Sequence, residues 1–274
     1  MIEESFDVGG EPLPLVRSAV IPAQFHHGFT TRRGGVSAPP FDTLNLGMKW
    51  GDARAHVIEN RRRLQVATGV ERIFVARQVH GANVLQVSGG DVPADIGQIE
   101  ADGLFSDAPG IAVGVYVADC IPVLMADART GGFAAVHAGW RGTLAGVVPA
   151  AVRRLVDELG ARPQDLRVAL GPAIGVCCFE VGEEVVDAVA RAIPRATAPS
   201  ASVIQRAANG RAHVDLKRLN VMLLQAEGVP ASAIDVGPEC TSCDRARFFS
   251  YRRDKGETGQ AIGFICAAET NPGE

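Results

Sequence analysis

A thiol and an imidazole close two adjoining apolar stretches, Val115-Tyr-Val-Ala-Asp-Cys120 and Ala135-Val-His137, the second running on into Ala-Gly-Trp-Arg-Gly142. A thiolate beside an imidazole suits two chemistries, coordination of a soft or borderline metal and nucleophilic catalysis. The residues between them say how they would meet. Residues 121–126 read as a strand, 127–132 as its turn and 133–137 as the returning strand. A hairpin closed there sets His137 opposite Pro122, one diagonal step from Cys120. Residues two apart share a sheet face and diagonal neighbours lie roughly 7–8 Å apart, so both side chains reach one ligand. A register slip of one residue would put them on opposite faces. Taken singly, each has a plainer reading, a small buried apolar cysteine and a core histidine capped by a carbonyl.

The rest of the chain supplies the elements that must hold this pair. Residues 1–20, dotted with proline and acid, read as an N-terminal arm, irregular or an edge strand, and 21–274 as a single domain. Asp52 is placed to cap a helix running to Thr68 and stopped by Gly69. Strands are expected at 73–79 and 83–87, around His80-Gly81, and at 111–118, whose unbroken apolar run suits an interior strand. The clearest helix has Leu144, Val147, Val148, Ala151, Val152, Leu155, Val156 and Leu159 at helical spacing, with Thr143 as N-cap and Gly160 as stop. A strand over 166–170, helices near 183–193 and 215–227, and strands at 234–236 and 261–267 complete the pattern. Hairpins mixed with helices define an α+β class with largely antiparallel sheets. Two helices carry polar residues on apolar faces, Asn60 and Arg61 beside Val57 and Leu64, and Asn220 beside Leu216, Leu219 and Leu223. Buried donors of this kind need acceptors, with backbone carbonyls the ordinary answer and a substrate the sharper one.

Composition narrows the function classes. The net charge of -4 gives no basic surface for nucleic acid. No apolar run reaches the length of a membrane span, and the acidic opening Met1-Ile-Glu-Glu has no signal core, so a cytoplasmic protein is expected. Six cysteines in 274 residues do not make a small disulfide scaffold. Cys240-Thr-Ser-Cys243 has the spacing of redox and zinc sites, yet no second such pair completes a four-cysteine site, and the adjacent Cys177-Cys178 carries less weight still. No glycine fingerprint for a dinucleotide and no Walker loop is present.

Five stretches, taken in order, resemble the YfiH-like laccase-domain family, also called the multicopper polyphenol oxidoreductase or purine nucleoside phosphorylase family. They are Gln78-Val-His80-Gly81, Ala118-Asp-Cys120-Ile-Pro122, His137-Ala-Gly-Trp-Arg-Gly142, Gly171-Pro-Ala-Ile-Gly175 with Glu180-Val-Gly182, and Phe249-Ser-Tyr-Arg-Arg-Asp254. The resemblance implies a single-domain four-layer α/β/β/α sandwich and one metal, zinc with copper as the alternative, held by His80, Cys120 and His137. Two imidazoles and a thiolate are a sound zinc set with a fourth position to spare. Separations of 40 and 17 residues match no finger pattern, so the fold must gather them. Six histidines in all are too few for coupled four-copper oxidation, which speaks against laccase chemistry.

The resemblance also implies phosphorolysis of adenosine, inosine and methylthioadenosine, and adenosine deamination, by a chain acting as a monomer or small homo-oligomer on nucleoside and phosphate. Phosphate calls for arginine, and Arg61, Arg141 and the Arg252-Arg253 pair are the candidates, Arg141 near the start of the strongest helix. Asn45, Arg61, Gln78, Arg141, Tyr251 and Arg252 are the expected substrate contacts. Cys120 and His137, with Asp119 or Asp102 as base or as the group orienting a ligating histidine, are the expected catalytic residues. Lys49, Val176 and Gln260 depart from the family pattern, which puts substrate preference in question more than fold. Three other readings keep the same residues: a metal-independent Cys-His hydrolase, a peptidoglycan-precursor editing factor, and a non-catalytic nucleoside or metal binder.

Overall fold

The computed structural model describes residues 1–193, 203–207 and 210–268. Two six-stranded sheets form its centre. The first holds β1 (Ile2–Val8), β2 (Glu11–Arg17), β3 (Phe25–Thr30), β4 (Ile73–Phe74), β7 (Ala112–Val117) and β15 (Ala261–Ala267), in the order β1-β2-β3-β15-β7-β4. The second holds β5 (Val84–Gln86), β6 (Gly103–Ser106), β8 (Ile121–Ala126), β9 (Phe133–Ala138), β10 (Arg167–Leu170) and β14 (Ile234–Val236), in the order β14-β10-β8-β9-β6-β5. Pairing is antiparallel except at β4–β7, β5–β6 and β10–β14. A small antiparallel sheet of β11 (Glu180–Val181), β12 (Ile204–Arg206) and β13 (Ala212–Val214) lies apart from both.

Residue alternation along the strands shows why the sheets stack. On β9, Phe133 and Ala135 pack with Phe25, Phe29, Val113 and Val115 of the first sheet, whereas Ala134 and Val136 pack with α4 (Val147–Leu159) on the opposite face. The Phe25 and Phe133 rings meet edge-on at 6.2 Å. On the outer face of the first sheet, Leu13, Leu15, Ile262 and Phe264 gather Leu44, Leu46 and Leu64, the last from α1 (Arg54–Thr68). Helix, sheet, sheet, helix is the resulting order, the expected α/β/β/α arrangement. Each large apolar side chain buried in these layers contributes about 1.5–3 kcal/mol. His137 shares the face of Phe133 and Ala135, and Pro122 that of Leu124, so the candidate pair looks into one end of the layer between the sheets.

Several local expectations are corrected. Of the two readings of residues 1–20 the irregular arm fails and the edge strand holds: residues 2–17 form a hairpin in which β1 is the edge strand of the first sheet and β2 pairs with β3, with Pro12 and Pro14 opposite Asp7 and Ser5. Asp52 does not cap α1; Ala53 holds that position, and the Asp52 carboxylate accepts from Ser37 and Asn45 instead. The expected strand over 73–79 shrinks to β4, and the chain then turns towards His80. The clearest helix is two. α3 (Trp140–Ala145) ends at Gly146, which takes φ 86°, and α4 starts directly after it. Thr143 is therefore inside α3, buried and bonded to Asn220. The helices α2 (Pro93–Ile96), α5 (Glu183–Ala192) and α6 (Leu216–Ala226) complete the set among the described residues.

Candidate metal centre

His137 comes from β9 in the register its sequence implies, opposite Pro122 on β8. Its Nδ1 lies 2.8 Å from Asp102 Oδ1, which leaves Nε2 to face outward from that contact. Asp102, wholly buried before β6, does more than orient one ring. Its Oδ1 also accepts from the His80 N–H at 2.8 Å, and Oδ2 accepts from Val79 at 3.1 Å and Gly81 at 2.7 Å. One carboxylate thus anchors both histidine-bearing segments. The turn it grips is strained, since His80 sits at φ 61°, a region unfavourable to residues with a Cβ.

Cys120 ends the link from β7 to β8. Its Sγ is 3.9 Å from His80 Nε2, and the His80 and His137 rings stand edge to face with centroids 4.8 Å apart. One donor atom from each of His80, Cys120 and His137 lies within 4.8 Å of the other two. Gly139 makes this closeness possible, because a Cβ there would fall 2.9 Å from His80 Cδ2 and 3.0 Å from Cys120 Sγ. Beside Cys120, Asp119 is also at positive φ, 88°. Its carboxylate accepts from Thr241 Oγ1 at 2.6 Å, Ser250 Oγ at 3.0 Å and the Arg252 N–H at 2.6 Å. Each strained turn that carries a candidate ligand is thus held by a carboxylate meeting three or four donors.

The charges support one another. Burial pushes the Cys120 thiol up, but the charge of His137 and hydrogen bonds from both histidines outweigh it and bring it down to about 6. Burial lowers His137, and the Cys120 thiolate with the Asp102 carboxylate more than reverses this, to about 9. Asp102 is likewise pushed up by burial and held below the usual carboxylate range by His137 and the Gly81 and Val79 N–H groups. A thiolate, two imidazole nitrogens and a carboxylate fixing one ring are what a zinc ion asks of a protein site, so the donor set fits that metal.

The expected substrate contacts divide. Gln78 spends both ends of its amide on the Tyr116 backbone, at 2.8 Å each. Asn45 is buried and bonded to Gly47, Asp52 and Gln260. Arg61 donates to the Leu46 carbonyl, while Asn60 and Asn220 find backbone carbonyls, the ordinary answer to their burial. Arg253 is bound to Asp254 and to the Thr241 and Phe248 carbonyls. Arg141 and Tyr251 face solvent, Arg141 over the Trp140 ring at 4.2 Å and Tyr251 against Trp50 at 5.6 Å. Arg252 is exposed as well, its guanidinium braced by the Cys178 and Glu180 carbonyls.

The sequence reading missed Gly139, Thr241 and Ser250 as parts of the site. Gly139, inside the His-Ala-Gly-Trp-Arg-Gly run, and Ser250, inside Phe249-Ser-Tyr-Arg-Arg-Asp254, lie in stretches that the sequence already singles out. Cys177 and Cys178 lie beside Cys240 and Cys243, a grouping that the spacing of neither pair reveals.

Fold and site together define a four-layer α/β/β/α protein whose two sheets bring a His-Cys-His donor cluster to one end of their shared layer. Residues 26–268 match the profile described as multi-copper polyphenol oxidoreductase laccase. The chain belongs to that family, the YfiH-like laccase-domain proteins. It is 39% identical over 253 residues to "Purine nucleoside phosphorylase YlmD" of Geobacillus stearothermophilus, spanning 87% of this chain and 88% of that one. It is 44% identical over 244 residues to "Purine nucleoside phosphorylase PA4543" of Pseudomonas aeruginosa, spanning 89% and 94%. Among solved structures, YlmD from Geobacillus stearothermophilus superposes with a TM-score of 0.86 at 35% identity over 96% of this chain and 99% of that one. The Bacillus licheniformis protein YfiH does so with 0.86 at 33% over 95% and 98%.

Proposed function

We propose that this chain is a zinc-dependent purine nucleoside phosphorylase acting on adenosine, inosine and methylthioadenosine, with adenosine deamination as a second activity. The observation that carries the reading is the convergence of His80, Cys120 and His137 under the grip of Asp102, in a family whose relatives bear the phosphorylase name. These three residues would hold the ion. Held there, zinc would supply Lewis-acid polarisation. Copper is the alternative metal, but a cluster with two histidines suits a single ion and not laccase chemistry.

In phosphorolysis a phosphate oxygen bonds to ribose C1′ as the bond from C1′ to N9 of the base breaks, and the departing base takes up a proton. The chain's own groups serve this in distinct ways. Arg141 follows two residues after Gly139, and among the described residues its guanidinium has no hydrogen-bond or ion-pair partner, so it is available to a phosphate dianion. Arg252 offers a second cation on the segment that braces Asp119. The Trp50 and Tyr251 rings present aromatic faces for a purine. Asp102 keeps His137 in one tautomer, and Asp119, with its carboxylate engaged by three donors, is a positioning residue for Cys120. Asn45, Gln78 and Arg61 would shape the site through the backbone they hold.

A second reading has its own observation. Asp102, His137 and Cys120 form a carboxylate, imidazole and thiolate relay, with the thiol at about 6 and the imidazole at about 9, as a metal-free thiol hydrolase would need. One experiment separates the two. Purified protein of measured metal content is incubated with adenosine with and without phosphate, and adenine, inosine and ribose-1-phosphate are resolved. The phosphorylase reading requires phosphate-dependent adenine that vanishes in His80→Ala and Cys120→Ala. Phosphate-independent inosine alone would leave only the deaminase. A metal-free protein that is active and stopped by alkylation would favour the thiol enzyme.

A further inference from the structure

Four cysteines from two distant segments meet beside the loop whose Thr241 braces Asp119. The Sγ atoms of Cys177, Cys178, Cys240 and Cys243 all lie within 4.8 Å of one another. Cys243 Sγ stands 3.6 Å from that of Cys177 and 3.4 Å from that of Cys178. A disulfide would need about 2.0 Å. Four thiolates at the corners of a tetrahedron about a zinc ion, each at about 2.3 Å, would stand about 3.8 Å apart.

The backbone is shaped for such a cluster. The first pair sits in a turn closed by Cys178 and Phe179 N–H groups donating to the Gly175 carbonyl, and the second in a turn closed by Asp244 N–H donating to the Cys240 carbonyl. A parallel bridge between Ala173 and Cys240 joins the two turns. The Gly175 N–H points at Cys240 Sγ, 3.2 Å away, the donor a metal-bound thiolate uses to offset its charge. Gly175 is also where a side chain would intrude, since a Cβ there would lie 3.3 Å from Cys177 Sγ and 3.5 Å from Cys240 Sγ. Cations flank the cluster: buried Lys217 donates to the Gly237 and Glu239 carbonyls just before Cys240, and Arg252 donates to the Cys178 carbonyl. A zinc tetrathiolate carries two net negative charges, and these cations suit it.

We propose that Cys177, Cys178, Cys240 and Cys243 form a second, structural zinc site, distinct from the His80-Cys120-His137 cluster. Binding of one zinc ion by the four thiols releases four protons to solvent, and no redox change is involved. The site would staple the 171–179 segment to the segment that delivers Thr241, Ser250 and the Arg252 N–H to Asp119, so that it steadies the Cys120 turn from behind. It stands independently of the nucleoside reading.

The test uses the whole chain, purified under reducing conditions, loaded with zinc, desalted and analysed by plasma mass spectrometry. A His80→Ala/Cys120→Ala variant, which lacks the first cluster, should keep one zinc per chain, and its cobalt-substituted form should show the strong absorption of a tetrathiolate. Adding Cys240→Ser and Cys243→Ser should remove that zinc. The proposal is overturned if the first variant holds no zinc with its thiols reduced, or if mass spectrometry finds a disulfide among the four cysteines after zinc loading. Because the decisive measurement keeps all four cysteines in place, it does not depend on whether the serine variants fold. Nor does it depend on whether the protein cleaves adenosine.

Discussion

Asp102 is the residue on which the candidate centre turns, since one carboxylate accepts from three consecutive N–H groups and from His137. Asp102→Asn keeps the shape but replaces one acceptor oxygen by an NH2 group that faces donors. We expect zinc affinity at the His80-Cys120-His137 cluster to fall about 10–100-fold, read by competition with a chromophoric chelator. An undiminished affinity would show that the ligands need no such anchor. Cys120 carries the second prediction at this scale. Its thiolate is the reactive form, and its pKa, lowered to about 6, means that form dominates above pH 6. In zinc-stripped protein, iodoacetamide labelling of the Cys120 peptide should therefore rise to half its maximal rate near pH 6. An ordinary thiol would do so near pH 8.5. In Asp102→Asn the support of His137 weakens and the midpoint should move upward.

Of the three candidate ligands only His137 lies on an element of regular residue pattern, and such elements are where the sequence could be read. The β8–β9 hairpin follows from apolar residues that alternate between two faces, and both its register and the shared face of Pro122 and His137 come out as read. β15 is as legible, because a continuous apolar run marks a strand buried on both faces. Other features depended on competition that no local pattern reveals. Asp52 looked like a helix cap until Ser37 and Asn45, brought from the preceding loop, claimed its carboxylate. The apolar periodicity runs unbroken from Leu144 into α4 and hides the break at Gly146. β11, β12 and β13 are two or three residues long, too short for periodicity to register. The cysteine cluster was illegible for a third reason, as its two halves lie on loops that only the closed fold joins. The break at Gly146 can be tested directly. A Cβ there meets nothing within 4 Å, so Gly146→Ala costs only the strain of φ 86°. We expect a loss of about 1–2 kcal/mol in urea unfolding, whereas no loss would mean that α3 and α4 can merge into one helix.

At the scale of the whole molecule, two of the three candidate ligands lie where the chain passes between the two sheets. His80 is on the connection from β4 in the first sheet to β5 in the second, Cys120 on that from β7 to β8, and His137 near the end of β9. An ion held there links both crossings to the second sheet, and the unfolded chain, with ligands 40 and 17 residues apart, has no preformed site for it. Zinc bound there would stabilise the fold by mass action, by about 2.7 kcal/mol when free zinc stands at 100 times its dissociation constant. For a chain of this size that is a rise in melting temperature of about 5–10 °C. Since the cysteine cluster could also respond to zinc, the comparison is between the wild type and His80→Ala, both of which keep it. The zinc-induced rise should be larger in the wild type by about that amount. Equal rises in the two proteins would mean that the crossings are held by packing and by Asp102 alone, with no ion clasping the sheets together.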